Sequence, residues 1–379
     1  MKKIGLTAKA AAAALSALLL TGCAGIPYYT ADGTVTDTAP VSEETEGKEK
    51  AAEDTAENTA ENTSENAPEN AAENTEAEEA GNDTKTVRIG SLKGPTSMGL
   101  VGLMDEASGI TAENSYEFTM ETQADALLPR LVSGELDIAL VPANVAAVLY
   151  NKTEGGISVI DVNTLGVLYV VSGDKSIESV SDLSGKTIYT TGKGTTPEYV
   201  LNYILSGNGA EDVKTEFRSE AAEVAALLAE DPSQAGLLPQ PFATVAMQQN
   251  DALSIVLDMT EEWNKLDPSS SLVTGVTVAS KAFIQDHPDL LNGFLKDHEE
   301  SVLFVNSEVE KAAQCVADQG IVEKAPIAAK AIPFCNIVCI TGEEMKSDLN
   351  GYLKVLFEAE PASTGGALPG DDFYYTAGE

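Results

Sequence analysis

Arginine is almost missing from this chain of 379 residues: only Arg88, Arg130 and Arg218 occur. Lys and Arg together number 23 against 60 Asp and Glu, for a formal net charge of −37. Nucleic-acid phosphates need clustered basic side chains, so this balance excludes DNA and RNA as partners. Cysteine and histidine are as scarce. Cys23, Cys315, Cys335 and Cys339, with His287 and His298, show no zinc-type spacing, so no metal and no cofactor is expected. No nucleophile stands at a recognisable spacing from a base, and no enzymatic activity is expected. The charge-free apolar run from Ala10 to Leu20 is short for a membrane span.

That run follows Lys2 and Lys3 and ends at Leu20-Thr-Gly-Cys23, the pattern of a secretory signal. It resembles a bacterial lipoprotein signal. The resemblance implies a signal peptide over 1–22, Cys23 as the lipidated first residue, and anchorage on the extracytoplasmic face of the bacterial cell membrane. Residues 23–84 read as an acidic, disordered tether. Ala, Glu, Asn and Thr dominate it, and Glu57, Glu61, Glu65, Glu69 and Glu73 would stack like charges on one helix face. With almost no large apolar residues it cannot offset its own ordering entropy. As a coil, its roughly 55 residues from about Thr30 to Thr84 would span about 40 Å.

From Lys85 onward strand and helix patterns alternate, which predicts an α/β body of two lobes. One plan occurs twice. Ile89-Gly-Ser-Leu-Lys-Gly-Pro-Thr-Ser-Met98 and Ile188-Tyr-Thr-Thr-Gly-Lys-Gly-Thr-Thr-Pro197 each run strand, Gly-rich turn, helix start. A second echo pairs Val141-Pro-Ala-Asn-Val-Ala-Ala-Val148 with Leu238-Pro-Gln-Pro-Phe-Ala-Thr-Val245. Each lobe therefore offers two helix starts at the carboxyl edge of its sheet, where open α/β sheets bind ligands. The predicted helix after Pro95 carries Leu100, Val101, Leu103 and Met104, with Gly99 and Gly102 allowing close backbone approach. Residues 85–171 are expected to form the first part of lobe one, 172–258 lobe two, and 259–379 the rest of lobe one. Crossings are expected near Val170–Gly173 and Leu257–Leu272, giving a two-strand hinge that permits closure around a ligand. A polar loop is expected to hold Trp263, the sole tryptophan.

Candidate ligand contacts follow from the repeats. Lys93, Gly94, Pro95, Thr96 and Ser97 would grip a polar ligand from lobe one, and Lys193, Gly194, Thr195 and Thr196 from lobe two. Unpaired N–H groups and the positive dipole end make such turns anion sites; as ordinary capped turns they would be structural instead. Gly192-Lys193-Gly194-Thr195 lacks the glycine spacing of a nucleotide-binding loop. Asn144 and Gln240 occupy matching helix starts, as contacts or as simple caps. Phe242 and Tyr189 stand as cleft walls or as core. His287 and His298 read as helix-surface residues. Cys335 and Cys339 read as buried thiols on a strand, about 13 Å apart and beyond disulfide reach.

Asp182-Leu-Ser-Gly-Lys-Thr-Ile-Tyr-Thr-Thr-Gly-Lys-Gly-Thr-Thr-Pro-Glu-Tyr199 resembles the nitrate, sulfonate, taurine and thiamine-precursor branch of ABC-transporter substrate-binding proteins. Gly134-Glu-Leu-Asp-Ile-Ala-Leu-Val-Pro142, Leu238-Pro-Gln-Pro-Phe242 and Leu272-Val-Thr-Gly275 fit the same pattern. The resemblance spans roughly Thr86 to Tyr375. It implies a two-lobed periplasmic-binding-protein fold of type II, acting as a monomer that captures a small polar ligand. The partners implied are an ABC permease and its ATPase. Thr274 and Gly275 enter as contacts by this resemblance alone. A ligand-sensing or adhesive surface lipoprotein on the same fold is the alternative function.

Overall fold

The computed structural model describes residues 86–267 and 269–376. The signal peptide, Cys23 and the tether expected over 23–84 lie outside the described residues.

The first sheet begins with β1 (Thr86–Leu92), followed by the single-turn helices α1 (Pro95–Met98) and α2 (Val101–Met104). The one helix expected after Pro95 is broken at Gly99–Leu100. Glycine weakens a helix interior, and Val302, Ile337 and His298 lie where a Gly99 side chain would begin. Strand β2 (Ser115–Glu121), helix α3 (Ala124–Val132), strand β3 (Ile138–Pro142), helix α4 (Ala143–Lys152) and strand β4 (Ile157–Leu165) follow. Arg88 Nε and Nη2 donate to Asp137 at 2.9 and 2.7 Å, fastening β1 to the start of β3. This forked, half-buried pair occupies one of the three arginines in structure.

The chain then changes sheet. β5 (Leu168–Ser172) joins β6 (Thr187–Thr190), α5 (Thr196–Gly207), β7 (Lys214–Phe217), α6 (Ala221–Glu230), β8 (Ala235–Pro239), α7 (Phe242–Gln249) and β9 (Ser254–Asp258). After α8 (Met259–Leu266) it returns through β10 (Val273–Ser280) to the first sheet. Helices α9 (Lys281–Asp286), α10 (Pro288–Ser307), α11 (Val309–Asp318) and α12 (Ala325–Ala331) lead to strand β11 (Ile337–Ile340) and helix α13 (Gly342–Ala359).

The first sheet has the order β11-β4-β10-β3-β1-β2 and the second β7-β6-β8-β5-β9. β1 is parallel to β2 and β3, while β10 runs antiparallel to β3 and β4. In the second sheet β6 is parallel to β7 and β8, and β5 is antiparallel to β8 and β9. This is the mixed α/β, two-sheet architecture expected.

The first change of sheet falls at Gly166–Val167, ahead of the Val170–Gly173 read from the sequence. Packing explains the position. A Cβ on Gly166 would lie 2.2 Å from Thr260 Oγ1 and 2.6 Å from Leu272 Cδ2, so the two crossing segments touch there and only glycine fits. The loop expected around Trp263 is instead helix α8. Asp258 caps it, Oδ1 accepting from the Thr260 amide at 2.8 Å, and burial raises that carboxyl's pKa. Met259 and Trp263, four apart, supply its buried stripe.

The strands are buried along the core, with Val87 and Ile89 inward on β1 and Val159 and Val278 in β4 and β10, which are buried at nearly every position. On α10 the same logic puts Leu291, Phe294, Val302 and Val305 in the core. His298 belongs to that buried face and is 0 % exposed, which corrects its reading as a surface residue. His287 is half-buried at the α10 N-terminus. Cys315 and Cys335 are buried free thiols; Cys339 is a half-buried one on β11. The tail wraps the body: Asn151 Nδ2 donates to the carbonyls of Thr364 and Ala367, and Tyr375 N donates to Val159 O at 2.8 Å.

Candidate ligand-binding site

A cavity of about 120 Å³ opens between the two sheets. Its position follows from strand direction. β1, β3 and β8 end there with Leu92, Pro142 and Pro239. Their antiparallel neighbours begin there: Gly275 pairs with Pro142, and Leu168 pairs with Pro239. Both crossing segments therefore pass the carboxyl edges of the parallel strands, bringing Val167, Leu168, Leu272 and Thr274 to the cavity wall.

Helices α4, α5 and α7 start around this space. Pro142 and Asn144 line it from the beginning of α4, Thr196 from α5, and Gln240 with Phe242 from α7. The residues capping these helices, Pro142, Thr195 and Pro241, give no side-chain cap hydrogen bond. The first-turn N–H groups of a helix have no intrahelical acceptor, so the positive dipole ends of these starts favour an acceptor atom in the cavity. Lys93 is the charged residue of the lining, and no carboxylate joins it. None of the three arginines reaches the cavity. Arg218 lies 4.9 Å from the Tyr189 ring centroid and Arg130 lies beside Glu135.

Gln240 is held in one orientation. Its Oε1 accepts from Thr244 Oγ1 at 2.8 Å and from the Thr244 backbone amide at 3.3 Å, and its backbone N–H donates to Val167 O at 3.0 Å. The side chain is 3 % exposed, and Nε2 has no hydrogen-bond partner. Leaving a buried donor unpaired costs on the order of 1–3 kcal/mol. The Gln240–Pro241 peptide is cis.

The Lys93–Ser97 turn faces the cavity through Lys93, Gly94, Pro95 and Thr96. Gly94 has φ 143°, which a side chain would oppose. Thr96 Oγ1 and Ser97 Oγ both donate to Leu92 O, at 3.2 and 2.5 Å; Ser97 is fully buried behind the turn and does not line the cavity. Gly275 also stays behind the lining, while Thr274 forms part of it.

In the second copy of the motif only Thr196 lines the cavity. Lys193, Gly194 and Thr195 form a turn satisfied from within. Thr195 Oγ1 donates to Gly192 O at 2.6 Å, Gly194 N to Glu198 Oε2 at 2.5 Å, and Tyr199 OH to Gly194 O at 2.6 Å. The Lys193 ammonium lies 5.9 Å from the Phe217 ring centroid.

Sequence reasoning passed over the apolar wall of Leu92, Val167, Leu168, Leu272 and Tyr352. Val167 and Leu168 could have been found from Gly166 as a break between two strands. Tyr352 had no signal, because α13 arrives from the far end of the chain. Tyr352 is buried, its hydroxyl meets the Thr196 side chain, and burial pushes its pKa well up.

Residues 156–312 match the family described as NMT1/THI5 like. Solved structures with a similar fold include an ABC transporter protein from Parabacteroides distasonis, 22% identical, covering 78% of this chain and 100% of that chain, TM-score 0.66. The periplasmic aliphatic sulphonate-binding protein of Escherichia coli is 16% identical over 76% of this chain and 96% of that one, TM-score 0.57. A putative periplasmic sulfonate-binding protein of Methylobacillus flagellatus is 17% identical over 78% and 92%, TM-score 0.56. No curated protein matches the chain. The sequence matches the NMT1/THI5-like family over residues 156–312, and the described body carries the type II fold of ABC-transporter periplasmic binding proteins.

Proposed function

We propose that the protein is the solute-binding component of an ABC importer, held to the extracytoplasmic face of the membrane by a lipid on Cys23. Residues 23–84 would tether the body, and the two sheets would be the cores of lobes that close about Gly166–Val167 and the 259–272 segment. Among the described residues no helix is long and apolar enough to cross a membrane. The receptor works as a monomer, binds without turnover, and presents its closed form to a permease and its ATPase.

The observation that carries this reading is the unpartnered Gln240 Nε2 beside the starts of α4, α5 and α7, around a small cavity. That arrangement calls for a compact ligand with an acceptor or anionic head. The wall of Leu92, Val167, Leu168, Leu272, Phe242 and Tyr352 calls for an apolar body behind it. A short-chain sulfonate or a small heterocycle bearing an oxygen acceptor meets both demands, and a bare nitrate meets only the first. Without arginine, recognition would rest on neutral donors and Lys93 rather than on a guanidinium fork. From the sequence motif, Thr195, Gly194 and Lys193 would approach the ligand only on closure, with Ser97 and Gly275 supporting the opposite side.

A thermal-shift panel of nitrate, taurine, short alkanesulfonates and pyrimidines tests the reading. A true ligand at a hundred times its Kd should add about 2.7 kcal/mol, a rise of several degrees in Tm. If inorganic anions stabilise as well as sulfonates or heterocycles, the apolar wall plays no part; if nothing in the panel stabilises, the solute class is wrong.

A further inference from the structure

Away from the cavity, three side chains far apart in sequence converge inside the first sheet. Asp161 on β4 and Cys339 on β11 come from neighbouring antiparallel strands, and α10 packs against β11 to bring His298 over them. His298 Nδ1 lies 3.2 Å from Asp161 Oδ2, and one ligand atom from each of the three residues lies within 4.8 Å of the other two. We propose that Asp161, His298 and Cys339 form a binding site for a thiophilic divalent transition-metal ion of the zinc class.

The chemistry of the donor set favours such an ion. One carboxylate oxygen, one imidazole nitrogen and one sulfur match the ligands of zinc and cobalt(II), and three protein donors leave a fourth position for water. Hard cations such as magnesium and calcium prefer oxygen alone. Bond lengths of about 2.0–2.3 Å would draw the three donors together by roughly an ångström, within the reach of small side-chain rotations.

The surroundings are organised for this role. Thr277 Oγ1 donates to Asp161 Oδ1 at 2.8 Å and accepts from Asn163 Nδ2 at 3.1 Å. That outer layer fixes the carboxylate and leaves Oδ2 directed toward His298. Asp161 and His298 are both 0 % exposed, and among the described residues no lysine or arginine pairs with Asp161. A buried carboxylate needs a cation beside it, and a metal ion meets that need directly. Cys339 is half-buried on the edge strand, which gives a route in from solvent. On binding, the ion would take the place of the thiol proton, which leaves to solvent, and a metal–sulfur bond forms without any redox change. A bound ion would pin β11 and α10 to β4, the strand that leads into the crossing at Gly166.

Cobalt(II) is the probe, added to the reduced protein and followed by absorption. One equivalent should produce a thiolate-to-cobalt charge-transfer band with strong tetrahedral visible bands, and zinc(II) should bleach both. Cys339→Ser should lose the charge-transfer band, while Cys335→Ser and Cys315→Ser keep it. In the unaltered protein, zinc should also protect Cys339 from alkylation, read by peptide mass spectrometry. That second readout serves if a variant fails to fold. A weak six-coordinate spectrum alone, meaning ions on the acidic surface, would overturn the proposal. So would a charge-transfer band that survives Cys339→Ser, or Cys339 labelling that zinc leaves unchanged.

Discussion

Gln240→Glu is expected to weaken binding of an acceptor-headed ligand by a hundredfold or more. The substitution keeps the volume and keeps an oxygen for the Thr244 hydroxyl and amide, so the start of α7 is preserved. What it removes is the Nε2 donor, which has no partner within the described residues. A carboxylate oxygen in its place turns a donor toward the ligand into a second acceptor. The loss of a buried hydrogen bond with an unsatisfied acceptor left behind is on the order of 3 kcal/mol, about two decades in Kd. Calorimetric titration of the folded variant measures this. An unchanged Kd would mean that the ligand does not use Gln240, and a Kd that tightens would mean a ligand whose head donates.

Trp263→Ala should be the most destabilising single change in the body, by about 3–5 kcal/mol. Trp263 is 0 % exposed, with its ring centroid 4.6 Å from that of Tyr203 and 5.7 Å from that of Tyr352. Its Nε1–H donates to Ser270 Oγ at 3.0 Å, and Ser270 in turn donates to Asp267. The indole thus joins α8, in the segment that returns to the first sheet, to α5 and α13. Because Tyr352 lines the cavity, the same change should loosen ligand binding as well as the fold. Urea denaturation gives the first effect and titration the second. A loss under 1 kcal/mol would show that the site relaxes around the gap. Trp263→Phe, which keeps a ring and drops the donor, should fall between.

The architecture was legible because its strands and helices carry their own periodicity. The near-continuous apolar runs of β3 and β4, buried almost throughout, and the apolar stripes of α5, α6 and α10 report burial. The second echo, Val141–Val148 against Leu238–Val245, marked strand ends running into helix starts, and Asn144, Gln240 and Phe242 all line the cavity. The Gly-Thr echo was less informative, since a strand–turn–helix pattern does not say which way its turn faces. Lys93 to Thr96 meet the cavity, whereas Lys193 to Thr195 close on themselves. Contacts between distant segments left no local mark. Gly166 is a glycine because Thr260 and Leu272 press on it, and Trp263 is core because Tyr203 and Tyr352 come to it. His298 looked like a solvated helix residue because its partner, Asp161, is 137 positions away.

The central claim is that one cavity, between the ends of β1, β3 and β8, receives a small ligand head at Gln240. A crystal structure of the protein with the compound that gives the largest thermal shift tests it most directly. The predicted result is ligand between the two sheets, an acceptor atom about 2.7–3.2 Å from Gln240 Nε2, and an apolar body against Leu168, Leu272 and Phe242. Ligand bound elsewhere, or bound here with Gln240 Nε2 still unpartnered, would contradict the account.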